Sequence, residues 1–284
     1  MSRTWRERFD TLAAKRMEEA LAASIPPYTT DYERARGMLA IGNDWTRNRF
    51  GGAFYLSPLP PGGTSCSLVF VQSADGNTGA PRPSDLGGGS TDEHLIYEGL
   101  SRVAADAVLS GAGTVRGGGT VFSVWYPALV RMRASLGLPR HPVQMLATLQ
   151  GIDVDRMFML NVPDVRAIVL TVPDAAARMR HALAARPWVT LVVMPDPTSL
   201  RDAFAQLPAL GVRRISCIGG RHVAANLIDA GLVDDLYLTT APRPGGEPNT
   251  RLPAAALAGP TLVRKHGTGE DVGVVFEHRL PQRR

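Results

Sequence analysis

The stretch from Arg213 to Pro242, RRISCIGGRHVAANLIDAGLVDDLYLTTAP, constrains the fold more than any other part of the chain. Ile215, Cys217 and Ile218 predict a short buried strand, and Gly219-Gly220 follows it with no spacer. Val223, Ala224, Leu227 and Ile228 then recur at helical spacing, and Gly231 stands where a helix is closed by left-handed backbone. A second apolar run, Asp235–Thr240, ends at Pro242. Strand, turn, helix and strand within one sheet imply a right-handed parallel crossover. Two glycines at a strand-to-helix turn let an anion approach bare N–H groups at a helix N-terminus. The same pair also makes a plain packing turn, and spacing alone does not separate the two uses.

The rest of the chain repeats this alternation. Residues 4–23 predict an amphipathic helix with Phe9, Leu12, Ala13, Met17, Ala20 and Leu21 on one stripe. A helical piece is expected near 31–40, and Pro58–Gly63 reads as a turn-rich linker. Residues 1–64 are therefore expected to form a helical N-terminal extension, and residues 65–284 the main domain. Within that domain, Cys66–Ser73, Ala107–Ser110, Val143–Thr148, Ala167–Thr171 and Trp188–Met194 predict strands. Residues 79–89 should be a loop, with Gly87–Gly89 either a linker or the hinge of a lid. Ser90 with Glu93 predicts a capping box opening a helix to about Ala105, and His94 and His222 are expected on exposed helix starts. Helices are also expected from Pro173 to about Ala185 and from Ser199 to Leu207, while 121–141 stays irregular or helical. Asp234-Asp235 reads as a cap where a strand begins, and Thr261–His266 with Gly273–Leu280 as a closing antiparallel hairpin. The class is α/β with a mainly parallel sheet.

At 44% hydrophobic and 20% charged, 284 residues supply a sizeable core. The net charge of +5 suits an anionic ligand. The arginines are scattered, without the aromatic-interleaved stripe of a nucleic-acid binder. The two cysteines, Cys66 and Cys217, sit in apolar runs with no Cys/His cluster, so no metal site is expected. No apolar run approaches a membrane span and the N-terminus lacks an apolar signal core, so a cytoplasmic protein is expected.

Three turns at strand ends carry unusual polar or glycine content: Asp75-Gly76, Gly111–Arg116 and Gly219-Gly220. In open α/β sheets, ligands bind outside the carboxyl ends of strands, so these turns are expected to gather along one edge. Backbone N–H groups at 111–114 and 219–221, helped by Thr114 and Arg116, could hold a diphosphate. Metalloprotease, nucleophile-elbow, Walker and zinc-deaminase motifs are absent, and Gly111–Gly117 lacks the spacing of a dinucleotide fingerprint. A short-chain dehydrogenase would carry a Tyr-x-x-x-Lys pair, which does not occur.

Four blocks, in order, resemble one family: Val71–Gly76 (VQSADG), Ala105–Arg116 (ADAVLSGAGTVR), Pro142–Thr148 with Ala167–Thr171, and Ile215–Pro242 (ISCIGG…AGLVDDLYLTTAP). The family is the reductase domain of riboflavin biosynthesis, which has the dihydrofolate-reductase-like fold. The resemblance spans about residues 65–280 and implies NADPH as cofactor, a pyrimidine- or pterin-like heterocycle as substrate, and a homodimer. It places Gly111, Gly113, Thr114, Thr148, Thr171, Gly219, Gly220 and Arg221 against the cofactor. It places Ser73, Asp75, Gly76 and Arg116 against the substrate, with Asp75 as the catalytic candidate. Two positions depart from the family: its Glu-Gly-Gly reads Ile218-Gly219-Gly220, and Val69 stands where members often carry Lys or Asn. These changes imply a substrate with less polar surface than the riboflavin-pathway intermediate. The alternative is a catalytically impaired nucleotide-binding protein of the same fold.

Overall fold

The computed structural model describes residues 4–79, 86, 88–115, 120–247 and 249–282. Its strands are β1 (Tyr28–Glu33), β2 (Leu39–Ile41), β3 (Phe54–Leu56), β4 (Ser65–Gln72), β5 (Ala107–Gly111) and β6 (Val143–Ala147). They continue with β7 (Ala167–Thr171), β8 (Val189–Val193), β9 (Arg214–Cys217), β10 (Asp235–Thr240), β11 (Thr261–Gly267) and β12 (Val275–Arg279). β4 is buried at every position but its last. An unbroken apolar run of this kind belongs in the middle of a sheet covered on both faces, and β4 pairs in parallel with β10 on one side and β9 on the other. The large sheet has the order β1-β11-β12-β10-β4-β9-β5-β6-β7-β8, and β2 and β3 form a separate pair. From β10 to β8 all pairings are parallel, so these strands release their loops along one edge. β12, β11 and β1 join the other side in antiparallel fashion.

One face of the sheet is covered by helices Leu200–Gln206 and Arg221–Asp229, whose Phe204, Ala224 and Leu227 pack on Leu68, Leu109 and Leu236. The opposite face buries Val69, Tyr237 and Phe276 under Leu95, Ile96 and Leu100. Helix Trp5–Ala22 has a complete capping box between Thr4 and Glu7. It docks Trp5 and Phe9 on Phe158, with ring centroids 5.6 and 6.5 Å apart, and so braces the segment that follows β6.

Several local expectations change. The helix expected near 31–40 is replaced by β1 and β2. β1 pairs with β11 across more than 230 residues of sequence, with a bulge between Thr30 and Tyr32. It therefore covers the outer edge of the C-terminal hairpin, which is not free to pair with a second copy. Met17 and Leu21, placed on the buried stripe of the first helix, are exposed. The Ser90–Glu93 capping box is absent, because Gly89–Thr91 and a π-helix, Asp92–Leu100, begin there without a side-chain cap. The wider turn shows in the bond from Ser101 N–H to the Ile96 carbonyl, 2.9 Å. His94 is buried, not exposed, with its Nδ1 2.9 Å from Glu98. Glu98 in turn accepts the N–H groups of Trp125 and Tyr126. His222 does sit exposed at its helix start. Asp235 does more than cap a strand: it is buried, and its Oδ1 lies 2.8 Å from both Ser57 Oγ and His278 Nε2. Most of the 79–89 loop, including Gly87 of the candidate hinge, lies outside the described residues.

Candidate functional site

The parallel edge carries a cleft of about 790 Å³ above β5, β6 and β8. At one end its walls are bare backbone. β5 runs into the short helix Ala112–Val115, and β9 runs through Gly219-Gly220 into helix Arg221–Asp229. The two turns are tied together by the Gly111 N–H donating to the Gly219 carbonyl, 3.1 Å. Gly220 has φ +61°, and a Cβ there would lie 3.2 Å from Thr114 Oγ1 and 3.7 Å from Gly111 Cα. A side chain at 220 would therefore be strained and would fill the gap between the turns. The first N–H groups of helix Arg221–Asp229 have no intrahelical acceptor and face an approaching anion with the positive end of the helix dipole. At its other end the cleft is apolar, walled by Leu149, Ile152, Met157, Met194, Pro197 and Leu200.

The structure brings six of the expected cofactor residues to this cleft: Gly111, Gly113, Thr114, Thr148, Gly220 and Arg221. Two need correction. Thr171 is fully buried, its hydroxyl unpartnered and its carbonyl taken by the Met194 N–H at 2.7 Å, so it lies beneath the edge instead of facing the cleft. Gly219 is a hinge behind the wall: its φ is +100° and a Cβ would press on the Phe70 ring at 3.3 Å. The Gly111 N–H, expected to serve an anion, is already spent on Gly219. Arg116 lies outside the described residues. The 149–157 segment and the loop after β8 were missed. They carry no motif, and their only signal was aliphatic content directly after two predicted parallel strands.

The substrate candidates stand at the end of β4. Ser73 donates to Asp75 Oδ1 at 2.5 Å, and the Gly245 N–H reaches the same oxygen at 3.1 Å. The Ser73 bond is the main reason the exposed Asp75 carboxyl is held below the usual carboxylate range, with the Gly245 N–H and Arg251 adding to it. Asp75 is thus a fixed anion and an acceptor, not a proton donor. Gly76 has φ +82°, which lets the chain turn sharply behind it.

Against β10 is a buried carboxyl that carries no motif. Asp92 opens the π-helix, is buried, and accepts a hydrogen bond from Thr239 Oγ1 on β10. Burial pushes its pKa up to about 7, opposed by the Thr239 bond and assisted by the charges of Asp271 and Glu93. Gly88 leaves it room, since a Cβ there would lie 2.7 Å from Asp92 Oδ2. Among the described residues, no group of three or more His, Cys, Asp or Glu side chains could hold a metal ion, and no helix is long and apolar enough to cross a membrane.

Comparison with known proteins places the fold. The family model described as the RibD C-terminal domain matches residues 66–261. No curated protein matches the chain. Among solved structures, a pyrimidine reductase-like protein from Corynebacterium diphtheriae is 22% identical with a TM-score of 0.62, covering 78% of this chain and 93% of that one. The riboflavin biosynthesis reductase of Saccharomyces cerevisiae is 17% identical with a TM-score of 0.53, covering 79% and 93%. RibD of Acinetobacter baumannii is 15% identical with a TM-score of 0.57, covering 78% of this chain and 59% of that longer protein. At these identities the likeness is one of fold.

Proposed function

The chain belongs to the RibD C-terminal domain family, and from that premise we propose that it is an NADPH-dependent reductase of a pyrimidine- or pterin-like heterocycle. The observation that carries this reading is the pair of turns at Gly111–Thr114 and Gly220, a cradle that any Cβ at 220 would fill. The cleft has two ends, glycine and Arg221 at one, and aliphatic walls with Asp153 and Arg156 at the rim at the other. That division suits a dinucleotide, whose diphosphate wants N–H groups and whose adenine wants apolar walls.

The cofactor supplies the hydride. The chain's part is placement. Gly220 and the start of helix Arg221–Asp229 would hold the diphosphate, and Arg221 would add a cation there. Asp75, pre-aimed by Ser73 and Gly245, would accept N–H or O–H groups of the heterocycle. Positioning of this kind is what converts a slow encounter into a unimolecular step. Val69 is buried within β4 and Ile218 packs against the core beside it. Fully buried, Val69 is out of a ligand's reach; the half-buried Ile218 offers a substrate no hydrogen bond, so the preferred heterocycle has less polar surface than the ribosylamino phosphate of the riboflavin pathway.

A second reading, a nucleotide-binding protein without turnover, is favoured by the depressed Asp75 carboxyl, which cannot donate a proton near neutral pH. Steady-state NADPH oxidation with a panel of pyrimidines and pterins tests the two. Turnover of any member supports the reductase. NADPH binding without turnover across the panel supports the second reading. A kcat/KM for the riboflavin-pathway pyrimidine of about 10⁴ M⁻¹s⁻¹ or above would overturn the substrate preference.

A further inference from the structure

The apolar end of the cleft is rimmed by a single turn of 3₁₀ helix, Val154–Arg156, that places two opposite charges side by side. Asp153 precedes the turn and Arg156 ends it, with Arg156 Nε 3.3 Å from Asp153 Oδ2. Both line the cleft, and both side chains are largely in solvent, 58% and 87% exposed. Asp155, between them, is committed elsewhere, to Arg186 at 2.6 Å. Among the described lining residues, the other cationic or titratable nitrogens, on Arg221 and His222, stand at the glycine end. Whatever sits against Ile152, Met157, Met194 and Leu200 therefore meets this acid and this base at its rim, already paired and easily separated, because exposed ion pairs contribute little.

We propose that the Asp153–Arg156 pair sets the choice between the two nicotinamide dinucleotides. Arg156 takes the 2′-phosphate of the phosphorylated form, and Asp153 accepts the 2′-hydroxyl of the unphosphorylated one. This inference rests on the dinucleotide reading of the cleft. The chemistry is that of each group: a guanidinium presents a fork that matches a phosphate, and a carboxylate is the acceptor that a ribose hydroxyl finds in sites without that phosphate. In the resting pair each residue occupies the other. A 2′-phosphate draws Arg156 away and is repelled by Asp153, whereas a free hydroxyl needs only Asp153. The two side chains thus pull the preference in opposite directions, with Arg156 dominant.

The test is a binding titration of the full chain with NADPH, NADH, adenosine 2′,5′-bisphosphate and 5′-AMP, for wild type, Arg156→Gln and Asp153→Asn. Wild type should prefer the 2′-phosphorylated member of each pair, and added salt should shrink that preference. Arg156→Gln should weaken the phosphorylated members by about tenfold or more and leave the others within about twofold. Asp153→Asn should do the reverse, tightening NADPH and weakening NADH. Equal losses for both members in Arg156→Gln, or no preference in wild type, would overturn the inference. NADPH-dependent turnover without Arg156 dependence overturns this assignment alone and leaves the reductase standing. Arg156-dependent binding of the bisphosphate without turnover of any heterocycle supports the assignment and overturns the reductase. Failure of all four nucleotides to bind overturns both.

Discussion

The two halves of the parallel edge are built from different materials. Above β5, β6 and β8 the edge is open, and its walls are backbone, glycine and aliphatic side chains. Above β4 and β10 it is closed by interlocked polar groups: Ser73 on Asp75, Thr239 on Asp92, and the Gly245 N–H on Asp75. The first half can discriminate by shape and by exposed charge but has little proton chemistry of its own. The second half holds anions and protons, and the space beside it, about 330 Å³ between Gly89, Pro242 and Asp271, is smaller than the cleft. The proposed hydride transfer would use both, a shaped seat for one ring and fixed polar partners for the other.

The largest expected effect on ligand binding breaks the open half. Gly220→Val puts a branched side chain at φ +61° against Thr114. NADPH affinity should fall by about two orders of magnitude or more, while a cooperative melt shows that the variant still folds. Normal NADPH binding by a folded variant would make Gly219-Gly220 a packing turn only.

The next effect sharpens the closed half through pH. The Asp92 carboxyl is raised from 3.8 to about 7 in the fold. Between those limits the folded protein keeps a proton that the unfolded chain has released. The Asp92 contribution to stability is therefore full in acid, falls as pH rises through this window, and stays lost above it. Asp92→Asn keeps an acceptor for Thr239 and removes the titration. Denaturant unfolding at several pH values should show the wild type losing up to about 4 kcal/mol across the window relative to the variant. Parallel pH profiles for the two proteins would show that Asp92 does not titrate there.

Smaller again, Asp75→Asn should lower kcat/KM by about tenfold and spare NADPH affinity, because the uncharged amide keeps the turn but accepts a substrate N–H less strongly. An equal loss of cofactor binding would move Asp75 into the open half. The smallest effect belongs to Arg221→Gln. Arg221 is exposed and leans on Thr250 Oγ1, so screening should hold its loss of NADPH affinity to about three- to fivefold, and less in high salt.

The parallel core was legible because its inner strands, β4, β5 and β7 above all, are buried on both faces and read as continuous apolar runs. β7 falls where Ala167–Thr171 was expected, and β10 where Asp235–Thr240 was. The glycine end of the cleft was legible for a related reason: glycines at 111 and 220 mark close approach. What escaped was set by distant partners. β1 is exposed at most of its positions, so it shows no alternation, and its partner β11 lies at the far end of the chain. The π-helix needs one residue more per turn than the apolar spacing of Leu95, Ile96 and Leu100 reveals. Nothing local shows that Thr239 will meet Asp92, or the Trp125 N–H Glu98. The apolar end of the cleft escaped because it is assembled from two loops after β6 and β8 that carry no motif.

β1 has a consequence for how the protein can be shortened. It pairs along β11, and Lys265 beneath it is fully buried, its amino group on Thr30 Oγ1 at 2.7 Å and 4.5 Å above the Phe50 ring. A chain begun at Ser65 would still encode the cleft's glycine turns and every parallel strand, but it would lose Phe9, Phe50 and Phe54 from the core. It would also strip the outermost strand from the sheet, uncover the Lys265 ammonium's apolar surroundings, and leave a row of unpaired N–H and C=O groups along β11. Such a row templates the addition of strands from other molecules. The truncated protein should therefore behave as a seed for growth, its fate governed by concentration and time, with light scattering that climbs during storage while the full-length protein stays flat.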